Sequence, residues 1–240
     1  MIMHRTNPHW EAGAIPGKDL LGRVGGLLGE LATQGQLLAA EGLRPSSEGV
    51  RLRFHDTQRT VVPGPFEPEN ELPAGFSILR AESIDAAIEW ATRLAGITGD
   101  REIDIRPVTE SWDVGLTEKP ANITSRRYMI LRKATEASEA GASLSAEAGT
   151  KLASLIGAAR PAASHIVTET LQPSRRGRRY RNTRDGVSYF DGPFIETKEL
   201  IAGYVIVFAD SLADASSVAV RYIEAVSAEE VDVRGVDGRA

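Results

Sequence analysis

Six arginines crowd one short stretch, Arg175, Arg176, Arg178, Arg179, Arg181 and Arg184, and "DGPFIETK" follows closely with Asp191, Glu196 and Lys198. An aspartate can hydrogen-bond a ligand hydroxyl or exchange a proton with it, while guanidinium and ammonium groups hold carboxylates and phosphates. In an extended segment alternate side chains share a face, which places Arg179 and Arg181 together. Asp191 is therefore the candidate acid or base. Arg179, Arg181, Glu196 and Lys198 are the candidate ligand-binding groups, suited to a small anionic molecule. The same residues also have a structural reading, with Asp191 capping a turn and the arginines solvated on a surface hairpin.

Other chemistries lack their residues. There is no cysteine, so disulfides, thiolate metal sites and a cysteine nucleophile are excluded. His4, His9, His55 and His165 show no H-x-H or H-E-x-x-H spacing, so no metal site is expected. The phosphate-cradling and nucleophile-elbow motifs are missing, and no cofactor is expected. A net charge of −5 argues against general nucleic-acid binding. No apolar run approaches the roughly 18 residues of a membrane span. "MIMHRTNPHW" does not resemble a signal peptide, so a cytoplasmic protein is expected.

The elements that must position the candidates are written twice. "DGPF" at Asp191–Phe194 has a near copy, "PGPF", at Pro63–Phe66, and an offset of 128 extends the match along the chain. "EAGA" falls on "EAGA", "LRPS" on "LQPS", "ELPAGFSI" on "ELIAGYVI" and "EIDIR" on "EVDVR". Pairing Met1–Trp112 with Met129–Ala240 without gaps gives 32 identities in 112 positions. A whole domain is duplicated, as residues 1–112 and 126–240 joined by a linker at 113–125. The trio Gly64, Pro65 and Phe66 recurs as Gly192, Pro193 and Phe194 and reads as a structural turn, because Gly and Pro restrict the backbone in complementary ways. Asp191, Glu196 and Lys198 instead stand opposite Pro63, Pro68 and Asn70, which points to a single site in the second copy.

Each copy reads β-α-β-(β)-β-α-β. "RRYMILRK", "HIVTETL", "LIAGYVIVFA" and "EVDVR" are strands, "RRYRNTRDGVSYFDGPF" a hairpin, and Ser83 and Ser211 are helix N-caps. This is the ferredoxin-like α+β pattern, whose sheet is left uncovered on one face. The second copy is the expected cover, giving a pseudo-dimer within one chain. The alternative is a homodimer pairing like copies from two chains.

"DGPFIETKELIAGY", with "EAG" and "LQPS" upstream and "EGLRPSSEGVRLRF" in the first copy, closely resembles the DGPF proteins of the YCII-related superfamily, a bacterial group. The resemblance covers nearly the whole chain, twice. It implies two ferredoxin-like units pairing as a dimeric α/β barrel, and it implies no particular reaction. Some such proteins are encoded near extracytoplasmic-function sigma factors, so a functional link to one is implied by the resemblance alone. Some superfamily members pair a histidine near the first helix with an aspartate. The corresponding segments here, "PGKDLLGRVGG" and "LSAEAGTKLASL", hold no histidine, so that dyad does not carry over. Two functions remain open. One is a small-ligand-binding or regulatory, partner-binding protein, and the other is a small-molecule enzyme using Asp191 in a barrel cavity.

Overall fold

Apolar side chains alternate along the strands and recur every three to four residues along the helices, so each element has one or two faces to bury. The computed structural model describes residues 1–56, 58–67, 69–159, 164–194 and 199–237. The first repeat runs β1 (Ile2–Arg5), α1 (Pro8–Glu11), α2 (Lys18–Thr33), β2 (Leu37–Gly42), β3 (Val50–His55), β4 (Gln58–Pro63), β5 (Pro73–Ala81), α3 (Ile84–Thr98) and β6 (Glu102–Pro107). The second runs β7 (Arg126–Lys133), α4 (Glu136–Ala140), α5 (Ala146–Ala159), β8 (His165–Leu171), β9 (Arg178–Thr183), β10 (Gly186–Asp191), β11 (Ile201–Val207), α6 (Leu212–Ala225), β12 (Glu230–Val233) and β13 (Val236–Asp237). Side-chain oxygens of Asn7, Ser83, Thr135 and Ser211 accept from the unsatisfied N–H groups that open α1, α3, α4 and α6.

The chain is a mixed α+β protein with two antiparallel sheets, in the orders β10-β9-β12-β1-β11-β2 and β13-β8-β5-β7-β6-β3-β4. Neither sheet follows the repeat boundary. β1 and β2 of the first repeat join four strands of the second, while β7, β8 and β13 of the second join four of the first. The exchange is reciprocal in register: Ile2 faces Val205, and Ile130 faces Ser77, the same pair displaced by 128 in opposite senses. Residues 1–112 and 126–240 thus mark the repeat in sequence, yet each sheet is assembled from both.

Alternation sends the two faces of each sheet into different cores. In β7, Tyr128 and Ile130 meet α3 and α5, whereas Met129 and Leu131 join the layer between the sheets. In β1, Ile2 packs under α2 and α6, whereas Met3 faces the other sheet. The layers are helix, sheet, sheet, helix, and Phe76 and Tyr204 meet across the middle with ring centroids 5.1 Å apart. The expected barrel does not close. Stacking already buries the inner apolar faces, and the outer strands β10 and β4 are paired only with β9 and β3. The sheets are stitched at two corners that are equivalent at the offset of 128, by the Leu43–Val108 bridge and by the pairing of Val236 with Leu171. Among the described residues no helix is long and apolar enough to cross a membrane.

Because each sheet needs strands from both repeats, residues 1–112 and 126–240 expressed separately should not yield stable monomers, whereas the two fragments co-expressed should purify as a 1:1 complex. Size-exclusion chromatography and circular dichroism check this, and two independently folded monomeric fragments would refute it.

Candidate functional site

The repeated Gly-Pro-Phe turns are explained by backbone proximity. A Cβ on Gly64 would lie 1.8 Å from the Ser46 carbonyl oxygen, and one on Gly192 would lie 1.9 Å from that of Ser174. The Gly64–Pro65 and Gly192–Pro193 peptides are both cis. The Phe66 and Phe194 N–H groups donate to Ser46 and Ser174 Oγ, at 3.1 Å in each copy. Those hydroxyls donate in turn to Glu11 and Glu139. The two carboxylates also accept from Arg106 and Arg234, at 3.1 and 3.3 Å. One hydrogen-bonded chain therefore links four of the repeated strings: EAGA, L-x-P-S, G-P-F and E-x-D-x-R.

Among the described candidates, Asp191 does not converge with Arg179 and Arg181. Asp191 ends the edge strand β10, where its carboxylate is 63% exposed and accepts from Arg178 Nε at 2.8 Å. Directly opposed residues of an antiparallel pair share a face, so Asp191 lies with Arg178, while Arg179 and Arg181 point to the other side of the sheet. Arg179 is buried, donating to Asp232 at 2.6 and 2.9 Å and lying over the Phe194 ring at 4.5 Å. Arg181 pairs with Glu230 at 2.9 Å, and Arg175 donates to the Glu139 carbonyl. Much of the basic run is thus held by partners within the fold. Glu196 and Lys198 lie outside the described residues.

A more enclosed site lies at the other end of β1. A cavity of about 400 Å³ opens between α2, the end of β2 and the connector around Val114. Leu20, Val24 and Leu28 recur at four-residue spacing along α2, so one helix face gives the cavity an apolar wall. His4 from β1 and Tyr222 from α6 provide polar atoms, with His4 Nδ1 and Tyr222 Oη sharing a hydrogen bond of 2.9 Å. Burial, with the Arg5 charge beside it, lowers His4 to about 4, so the ring is neutral at pH 7. Burial raises Tyr222, which keeps its proton. At the rim Glu41 and Glu110 both accept from Arg127, and burial raises Glu41 in spite of that cation.

The two repeats differ most usefully here. At the offset of 128, His4 stands opposite Arg132, Tyr222 opposite Leu94, and Ala228 opposite Asp100. Arg132 and Asp100 are buried and bonded to each other at 2.8 Å, so side chains occupy that position in one sheet. In the other sheet the shorter His4 and Ala228 stand there instead, and both line cavities. His4 is passed over in the sequence reading because the histidines show no metal-ligand spacing. The same alignment that singled out Asp191 against Pro63 also sets His4 against Arg132. Comparison with protein-family models, with curated proteins and with solved structures finds no match to this chain.

Gly64→Ala and Gly192→Ala should each destabilise by about 2–4 kcal/mol, because the added methyl meets backbone that cannot yield. Asp191→Ala should change stability by less than about 0.5 kcal/mol, as expected for an exposed ion pair. Urea denaturation of the three variants measures both effects.

His4 also predicts an acid limb. Its pKa falls from 6.5 in the unfolded chain to about 4 in the folded one, so the unfolded chain takes up the proton first. The contribution to stability is complete above about pH 6.5 and is lost as the pH falls toward 4. Between about pH 7.5 and pH 4.5 the wild type should lose on the order of 2 kcal/mol more than His4→Gln. Thermal melts across that range give the comparison.

Proposed function

We propose that this chain is a binding protein for a small, largely apolar molecule, held in the cavity where His4 and Tyr222 meet. The observation that carries the proposal is the contrast between equivalent positions. One is filled by the buried Arg132–Asp100 pair, while His4 and Ala228 border open volume at the other. A concave site with apolar walls and a few convergent polar groups is the usual form of a small-molecule site. The neutral His4–Tyr222 pair would orient a ligand hydroxyl or carbonyl without introducing a charge.

In this proposal the scaffold is a pair of ferredoxin-like units, each completed by the first β-α-β of the other repeat. The central order β12-β1-β11-β2, repeated as β6-β7-β5-β8, supports that assignment. So does the likeness of the repeated strings to the DGPF proteins, which concerns fold and not chemistry. An enzyme using Asp191 finds less support, since that carboxylate lies on an exposed edge and borders neither described cavity.

A thermal-shift screen of small aromatic and aliphatic alcohols and ketones tests the proposal. Binders should raise the melting temperature of the wild type by several degrees and leave Val24→Trp, which fills the cavity, unmoved. No stabilisation by any such compound, or equal stabilisation of Val24→Trp, would refute it.

A further inference from the structure

A second cavity, of about 250 Å³, adjoins the apolar one. The two share His4, Trp10 and Val226 in their walls, so they meet near the C-terminal end of β1, an interior strand of sheet β10-β9-β12-β1-β11-β2. Their linings differ in kind. The larger cavity presents the leucines and valine of α2, whereas the smaller presents Asn182, Thr183, Glu199, Glu229 and Glu230. Trp10, from the short helix α1, stands at the junction, and a tryptophan suits a place where one side is apolar and the other polar.

We propose that the two cavities form one bipartite site for an amphiphile whose apolar chain or ring occupies the larger cavity and whose amine head occupies the smaller. This rests on the binding reading above and adds the chemistry of the head.

Charge gives the sign of that head. Among the described residues the smaller cavity is lined by three acids, Glu199, Glu229 and Glu230, and by two arginines, Arg5 and Arg181. Both arginines are already held by carboxylates, Arg5 by Asp232 and Arg181 by Glu230. In the larger cavity Arg44 is held by Glu48 at 2.5 Å. An anionic head would face three carboxylates in the smaller cavity, whereas an ammonium adds a partner to acids that outnumber the bases. The backbone contributes in the same direction. Val226, Ser227 and Ala228, which line the smaller cavity, follow the C-terminal end of α6, where the peptide dipoles place partial negative charge. His4 is neutral at pH 7 and does not reverse this balance. The sign is opposite to that suggested by the arginine run alone, because carboxylates of the fold already hold the arginines that reach these cavities.

Isothermal titration with octan-1-ol, octylamine and octanoate, each kept below its aggregation concentration, tests the proposal at pH 7. Octylamine should bind about tenfold more tightly than octan-1-ol, and octanoate more weakly than either. Glu199→Gln/Glu229→Gln, both at exposed positions, should bring octylamine down to the affinity of octan-1-ol and leave octan-1-ol unchanged. Val24→Trp should weaken all three. Octan-1-ol binding with octylamine no tighter, or octanoate binding as well as octylamine, overturns the bipartite assignment while the apolar cavity stands. Failure of all three probes to bind overturns both. Circular dichroism confirms that each variant is folded.

Discussion

In each sheet a carboxylate with almost no exposed surface sits between cations supplied by both repeats. Asp104 on β6 is flanked by Arg51 on β3 and Lys133 on β7, at 2.7 Å from each. Asp232 on β12 is flanked by Arg179 on β9 and Arg5 on β1. Burial alone would raise both carboxyl groups. The neighbouring cations outweigh it and hold both below the usual range, Lys133 and Arg51 in one sheet and Arg5 and Arg179 in the other. Leaving such a group without its partner costs about 3–5 kcal/mol, more than most apolar contacts contribute singly. The three strands of each cluster are thereby kept side by side, as β3-β6-β7 and β9-β12-β1.

Charge does not decide which repeat supplies the third strand. Arg5 and Lys133 are equivalent at the offset of 128, and either would satisfy either aspartate. The connector decides. β6 and β7 are consecutive in the chain and pair antiparallel, with Ile105 opposite Ile130. Consecutive strands usually become neighbours, and keeping β7 with its own repeat would carry the connector across to the other sheet. This is why the strands, hairpins and caps were legible while the partnership was not. Ser83, Ser211 and the alternation in "HIVTETL" are local signals, each set by a few neighbouring residues. The exchange depends on where one strand lies once another has been placed, and an internal repeat offers two equally good partners for every strand. The helices α1 and α4 were missed for a different reason, since four or five residues are too few to show a helical period.

Residues of both candidate sites stand out in the same internal alignment. Both Asp191 and His4 differ between the copies, so divergence alone does not separate them. What separates them is burial. Asp191 differs from Pro63 at the end of an edge strand, where a polar side chain is tolerated at little cost. His4 differs from Arg132 beneath a helix, where any change of side chain alters volume and charge together. The arginine run drew attention for its density, but a sequence does not show how many of its cations face carboxylates across a strand. Arg179 and Arg181 face Asp232 and Glu230, on β12.

The pairing of differences at the cavity follows from the same electrostatics. If Arg132 were replaced by histidine while Asp100 remained, the sheet would hold a buried carboxylate facing a side chain too short to reach it. If Asp100 alone became alanine, the guanidinium would be stranded instead. Only a change at both positions gives a neutral, less filled space, and the other sheet has both, as His4 and Ala228. Tyr222 in place of Leu94 then supplies a partner for the imidazole. The strings that recur at the offset of 128 are a different set of residues. Glu11, Ser46, Phe66, Arg106 and Asp104, with their counterparts, are all consumed in holding turns and strands together. A likeness carried by those strings therefore describes the scaffold, and the proposed binding reading rests instead on buried positions where the two copies depart from each other.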